Sequence, residues 1–391
     1  MKGKHIVSVS VFFITMLTLA VSDSLRGILL PIYENSFSLG KEQSSALVGI
    51  SYGGVLVFTI LAGQLGKRLK AKKVLQIGLL IFISSLLLMT IAKSYIALIL
   101  SIFFITGSAA FINIYLNITT PLVFALYQGI LLNLLHFFYG LGVSLSQTGI
   151  GYFLSTNDNW RIIYLMLAIV SILILAIYHF IDVPTLEVEK GTKNHSIGWK
   201  EIIFSKTGSM LILLLGFYFI AEHGTMNYFV SYTNEILGMN FGKSTSLLSL
   251  FFVLITVGRL FGGYLMDKFN IISVLFLCSI FGSFLYIFGV VFTNKGALLI
   301  SSSGLFFSII YPGLILLIKE YFPKAIVYAT STIVSVATIF DIIFNFAFGH
   351  IVNLLTFNVA IYLFPFGIIM VSILLFRLKN SHRSEMVIEV T

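Results

Sequence analysis

Twelve apolar runs, each long enough to cross a bilayer as a helix, follow one another through this sequence and leave room for little else. Spanning the hydrocarbon takes about 20 mostly apolar residues at a rise of about 1.5 Å each. The runs fall at 6–30, 45–65, 73–92, 95–117, 126–154, 161–181, 208–232, 244–266, 271–292, 296–318, 325–353 and 358–378. Some breaks are faint. Spans three and four are parted by little more than Lys93 and Ser94, and no charge lies between Ile118 and Gln128. A chain that is 58% hydrophobic and 10% charged has too few polar side chains to cover a water-facing surface. An all-α membrane protein is expected, because only helices and closed barrels satisfy the backbone in lipid.

The few basic residues are sorted by side. With twelve spans both termini share a side. That side collects Lys2, Lys4, the cluster Lys67, Arg68, Lys70, Lys72 and Lys73, then Lys190, Lys193, Lys200 and Lys206. Arg259, Lys268, Lys319, Lys324, Arg377, Lys379 and Arg383 complete it, making 18 of the 24 basic residues. The opposite side holds Lys41, Lys93, Arg161, Lys243 and Lys295, and Arg26 lies within a span. The positive-inside rule then places both ends in the cytoplasm of a cell-membrane protein. The same sorting accounts for the net charge of +9 without nucleic acid. Lys2 and Lys4 before an apolar run resemble a signal peptide, but the run extends to about Pro31, too long for one, so a retained first helix is expected. The single cysteine, Cys278, excludes an intrachain disulfide, and no Cys/His cluster suggests a metal. No phosphate-binding loop or other cofactor motif is present, and no catalytic constellation suggests an enzyme.

The spans form two halves. Residues 182–207 are the longest polar interruption, with four acids and four lysines, and follow span six. This stretch is the expected linker between six-helix bundles at 1–181 and 208–378, with 379–391 as a tail. A motif repeats at an offset of 200 residues: Gly63-Gln-Leu65-Gly-Lys67-Arg68 after span two and Gly263-Tyr-Leu265-Met-Asp267-Lys268 after span eight.

Twelve spans in a six-plus-six repeat, with this loop after the second span of each half, resemble the major facilitator superfamily. Its loop signature is Gly-x-Leu-x-Asp-Arg/Lys-x-Gly. The second copy keeps Gly263, Leu265, Asp267 and Lys268 but has Asn270 last; the first has Lys67 for the acid and Lys70 for the final glycine. The resemblance implies a gating loop, here Gly63, Arg68, Arg259, Gly263, Asp267 and Lys268, with the second-half copy carrying most of the gating. Shorter matches point to the fucose–proton symporter family: Ile28-Leu-Leu-Pro31, Leu132-Asn133-Leu-Leu-His136-Phe-Phe-Tyr-Gly140-Leu-Gly142, Trp160-Arg161, Ala221-Glu222 and Ile310-Tyr311-Pro312. That family takes up hexoses or deoxyhexoses with protons. In its fold, spans one, four, seven and ten line a central cavity near the bilayer midplane.

Polar groups inside spans are costly unless they face a cavity or a partner, which selects residues without reference to any family. Asp23 and Arg26 share a face of span one; an ion pair that holds helices and a site that exchanges partners are both open. Asp23 lies roughly 25 Å along the helix from Ile6. Glu222 stands near mid-span in span seven, beside His223 and a turn before Asn227. Unpaired, it would be expensive, and protonation would remove the cost. Asp341, four residues before Asn345 in span eleven, is either paired with Arg26 or Arg259 or a third proton site. Asp23, Glu222 and Asp341 are therefore the proton-coupling candidates.

Asn113 and Asn117 in span four, Asn133 and His136 in span five, Asn227 in span seven and Tyr311 in span ten are the substrate-binding candidates. Their bland alternative is hydrogen bonding between helices, worth about 1 kcal/mol in membranes. Relatives often carry an acid where Asn113 stands, so the resemblance leaves coupling to the three acids. Pro312 is expected to break span ten.

The expected function is proton-coupled uptake of a sugar or related small polar solute by a monomer in the bilayer, through alternating access. Export of a drug or metabolite and a non-transporting sensor with the same fold are the alternatives.

Overall fold

The computed structural model describes residues 2–65, 69–123, 128–157, 159–184, 198–323 and 326–388. Among them are sixteen α-helices, a 3-10 turn at Pro121–Val123, and no strand. The first half holds α1 (Lys2–Ile28), α2 (Leu30–Phe37), α3 (Lys41–Leu65), α4 (Ala71–Ile91), α5 (Tyr95–Thr119), α6 (Gln128–Thr156) and α7 (Arg161–Tyr178). The second holds α8 (Trp199–Phe204), α9 (Lys206–Glu235), α10 (Phe241–Lys268), α11 (Ile271–Val291), α12 (Thr293–Phe307), α13 (Ile310–Tyr321), α14 (Ile326–Leu355), α15 (Phe357–Ala360) and α16 (Leu363–Ile388).

Eleven segments among the described residues are long and apolar enough to cross a membrane. The expected span that fails this measure is α6, whose 29 residues include Gln128, Asn133, His136, Ser144, Ser146 and Gln147. The protein is an all-α membrane protein of twelve spanning helices in two six-helix bundles. Its contacts divide it into two compact units, Met1–Gly191 with Asn240–Ser249, and Thr192–Met239 with Leu250–Thr391. The division at residue 191 falls within the polar stretch 182–207, of which 185–197 lie outside the described residues.

Local chemistry sets the breaks. Lys93-Ser94 separates α4 from α5 because Ser94 caps α5, its Oγ accepting from the Ala97 amide at 3.3 Å. Ser205 caps α9 through the Gly208 amide at 3.0 Å, and Asn270 caps α11 through the Ser273 amide at 3.1 Å. Asn270 stands where the loop signature has glycine, and the cap explains an asparagine there. Two prolines interrupt spanning helices. Pro31 is the second residue of α2 and Pro312 the third of α13. Neither can donate to the carbonyl four residues before it, so span one divides at Leu29 and span ten at Ser308–Ile309. The ring of Pro312 thus breaks span ten where expected.

Packing inside each unit relies on small residues. Gly54 of α3 lies so near the Phe103 carbonyl of α5 that a Cβ would collide with it. In the second unit the glycine has changed sides: Gly304 of α12 faces the Phe251 carbonyl of α10. Both contacts join the second and fourth spans of a half, and removing the Cβ on either helix gives the same close approach. Around these seams Phe12, Phe82 and Leu86 form part of the first unit's core, while Leu215, Phe307 and Leu375 are buried in the second. Buried hydroxyls mostly bond back along their own helix, as Thr15 does to Val11 at 2.7 Å and Thr225 to Ala221 at 2.7 Å. They therefore add little polarity to the helix surface.

Candidate functional site

In the first unit the polar centre is Arg26 on α1, 6% exposed. A guanidinium buried in a spanning helix needs several acceptors, and the fold supplies them from α1 itself and from α3. Asp23 Oδ1 lies 3.2 Å from Nη2, one turn back on the same helix. From α3, Ser51 Oγ accepts from Nη1 and the Tyr52 hydroxyl from Nη2, both at 3.2 Å. The guanidinium also stands 4.4 Å from the centre of the Tyr52 ring, within cation–π range. Asp23 has a second donor, the Tyr139 hydroxyl of α6, at 2.5 Å from Oδ2. Both carboxylate oxygens are thus engaged, one by a cation and one by a phenol.

The second unit carries a larger constellation on α9, α10, α13 and α14. Glu222 lies about 24 Å along α9 from Lys206, with its side chain 11% exposed. Its partner is Arg259 of α10, Nη2 to Oε1 3.9 Å. The sequence names no partner for Glu222 and groups Arg259 with the cytoplasmic side. The long helix explains the difference, since Arg259 sits about 13 Å along α10 before Lys268. Tyr218 and Tyr311 are within electrostatic reach of both. Asp341 of α14 is 1% exposed, and its Oδ2 lies 2.6 Å from His223 Nδ1. His223, rather than Arg26 or Arg259, is thus its basic partner. The imidazole is held flat against Phe219, with ring centres 4.7 Å apart and planes at 16°. Phe219 stacks in turn on Tyr311, at 6.1 Å and 26°. Asn345 donates to the Asp341 backbone carbonyl at 2.7 Å and accepts from the Tyr228 hydroxyl at 2.7 Å. Among the described residues, Asp341 Oδ1 has no hydrogen-bond partner.

The remaining candidates divide by accessibility. Asn117 donates to Asn113, to its carbonyl at 2.9 Å and to its side-chain oxygen, and both are partly exposed on α5. His136 is exposed on α6, and the side chain of Asn133 lies outside the described residues. Asn227 is fully buried on α9. Of the expected gating loop, Arg68 lies outside the described residues, as does the side chain of Asp267. Gly63 and Gly263 belong to α3 and α10. Lys268 is exposed at the end of α10, its Nζ 5.7 Å from the ring centres of Tyr264 and Phe269.

Reading the sequence missed Tyr139, Tyr52 and Phe219. Tyr139 does carry a signal, because it lies three residues after His136 and so falls on the same helix face. No spacing announces Tyr52 or Phe219, since aromatic residues are frequent throughout.

Comparison with known proteins adds the family. The model of the Major Facilitator Superfamily matches residues 11–338. The chain belongs to the major facilitator superfamily. Over 261 residues it is 25% identical to YceJ, an uncharacterized MFS-type transporter of Bacillus subtilis (strain 168), covering 64% of this chain and 63% of that protein's length. Among solved structures it resembles a D-xylose-proton symporter with a TM-score of 0.76 and 15% identity, covering 94% of this chain and 96% of the other. It also resembles the fucose:proton symporter FucP of E. coli, with a TM-score of 0.65 and 18% identity, covering 95% and 98%. At these identities the likeness is one of fold.

Proposed function

We propose that this major facilitator protein is a secondary active transporter that couples proton entry to uptake of a sugar or related small polar solute. The observation that carries the reading is the set of acid–base pairs inside spanning helices: Asp23 with Arg26, Glu222 with Arg259, and Asp341 with His223. A fold that only had to stand in lipid gains little from buried pairs, whose desolvation offsets their attraction. A carrier that loads and unloads a proton needs such groups at membrane depth.

Asn113, Asn117, Asn133, His136, Asn227 and Tyr311 are the solute-binding set. The partly exposed Asn113–Asn117 pair and the exposed His136 offer donors and acceptors suited to hydroxyl groups, while the Tyr311 ring suits the apolar face of a pyranose. The sugar–proton couples named for the similar solved structures support the solute class. In this reading the protein works as a monomer in the cell membrane with both termini cytoplasmic, and the Gly263–Lys268 loop carries most of the gating.

The test is uptake into proteoliposomes under an imposed inward proton gradient, with a panel of labelled monosaccharides, nucleosides and amino acids. Gradient-driven accumulation of a sugar, abolished by a protonophore, is expected. Accumulation only of non-sugars, or only under an outward-directed gradient, would sink the reading.

A further inference from the structure

We propose that the transported proton is carried by the His223–Asp341 pair, while Asp23–Arg26 and Glu222–Arg259 stay ion pairs throughout. This rests on the proton-coupled reading above and chooses among its three acids.

The choice comes from how each carboxylate is satisfied. Asp23 has a donor on both oxygens, Arg26 at 3.2 Å and Tyr139 at 2.5 Å. A guanidinium holds its charge at any physiological pH, so this acid has a permanent counter-ion. Glu222 likewise faces the permanent cation of Arg259 at 3.9 Å. Asp341 differs on each point. It is 1% exposed, one of its oxygens has no hydrogen-bond partner among the described residues, and its side-chain partner is a titratable imidazole. Leaving a buried carboxylate half satisfied is costly, and one proton shared with His223 removes the net charge from the pair. Nearby Asn345 does not relieve the carboxylate, because it donates to the Asp341 backbone carbonyl at 2.7 Å.

The charge balance of the surroundings agrees. Beside the pair, Tyr311 of α13 stacks on the Phe219 ring that holds His223, and Tyr311 and Tyr218 are within electrostatic reach of Glu222 and Arg259, while Tyr228 of α9 bonds Asn345, one turn from Asp341. Lys319 and Glu320 lie about 12 Å along α13 from Tyr311, and Lys200 and Glu201 belong to the separate helix α8. Glu222 and Arg259 cancel, the tyrosines are neutral, and Asp341 with neutral His223 leaves one negative charge. Binding one proton makes the constellation neutral, forming one N–H or O–H bond at the expense of one in hydronium. His223 has its side chain 25% exposed, so it is the member of the pair that meets the proton first. Its ring is held by Phe219, which keeps Nδ1 aimed at Asp341.

The repeat supports the location. At the 200-residue offset of the loop motif, His223 corresponds to Asp23. Asp23 contacts α6, the fifth span of its half, through Tyr139, and His223 contacts α14, the fifth span of its own, through Asp341. The same seam is tied in both units, by a permanently charged centre in one and a titratable pair in the other.

Acid-minus-alkaline infrared difference spectra of the purified protein in lipid test the assignment without any solute. Beyond the bands that the other acids and histidines give in every variant, one carboxyl and one imidazole band are expected in wild type, Asp23→Asn and Glu222→Gln, and the loss of these two in Asp341→Asn. If Asp341→Asn does not fold, Asp341→Glu carries the test and must shift the carboxyl band in frequency. Bands unchanged in the Asp341 variants, or lost instead in Asp23→Asn or Glu222→Gln, overturn the proposal. Proton-driven uptake with unchanged spectra in Asp341→Asn would sink this assignment alone. A wild type that shows the bands yet accumulates no sugar would sink the transport reading alone.

Discussion

Replacing Arg26 by methionine keeps an unbranched apolar stem and deletes the guanidinium. The loss falls on four groups at once. Asp23 loses its cation at 3.2 Å, Ser51 and Tyr52 lose a donor each at 3.2 Å, and the Tyr52 ring loses its cation–π partner. Removing one member of a buried pair costs about 3–5 kcal/mol, mostly from the charge left behind. Asp23 is 28% exposed, so water relieves part of that, and Tyr139 still donates to it. The lower end, about 3 kcal/mol, is therefore expected. The double variant Arg26→Met with Asp23→Asn removes both charges and should recover at least about 1 kcal/mol, because residues in one network couple by 0.5–3 kcal/mol. Thermal unfolding of the wild type, both single variants and the double variant in one detergent gives the cycle. At about 2 °C or less per kcal/mol for a chain of this size, Arg26→Met should melt roughly 5 °C low and the double variant above it. A double variant less stable than Arg26→Met would refute the view that Asp23 is an acid held by its counter-ion.

Ser205→Ala removes the cap of α9 and should cost about 1 kcal/mol, with Ser205→Gly costing less, read as melting temperature in the same detergent. Gly54→Val should force α3 away from the Phe103 carbonyl and cost more than about 3 kcal/mol, seen as loss of monodisperse protein on size-exclusion chromatography; a well-behaved variant would mean the helices do not pack that closely. On the gating loop, Asp267→Asn should change the rate of solute exchange several-fold while Lys67→Asn changes it little, and equal effects would remove the asymmetry between the two copies.

The fold was legible because lipid imposes a length on each helix and a sign on each loop, and neither depends on tertiary detail. The breaks at Lys93-Ser94 and Pro312 were legible for the same local reason, since a serine cap and a missing amide act within one turn. What could not be read was partnership across helices. The sequence marks Glu222 and Asp341 as costly, but it does not say that Arg259 reaches the first or that His223 takes the second. Arg259 was placed with the loop because it lies near the Asp267 motif, whereas α10 continues through both and carries the arginine into the span. Tyr139 and Tyr52 were hidden among abundant aromatics, because a hydroxyl on a ring adds little to the hydropathy that exposes a carboxylate.

The two seams differ in which helix holds the acid. In the first unit Asp23 sits on α1 and its phenolic donor on α6; in the second the acid is on α14 and the imidazole on α9. If the seam requires only one acid and one donor in contact, exchanging them should be tolerated. His223→Leu leaves Asp341, 1% exposed, without its imidazole partner, and should cost about 3 kcal/mol or more. The swap His223→Asp with Asp341→His restores an acid–imidazole contact between the same helices, with the acid on the first span as in the other unit. It should recover roughly half of that loss, limited by the fit of a shorter side chain beside Phe219. Melting temperatures of the three proteins decide it. A swap no more stable than His223→Leu would show that the seam depends on the imidazole at its Phe219 stack rather than on the pairing.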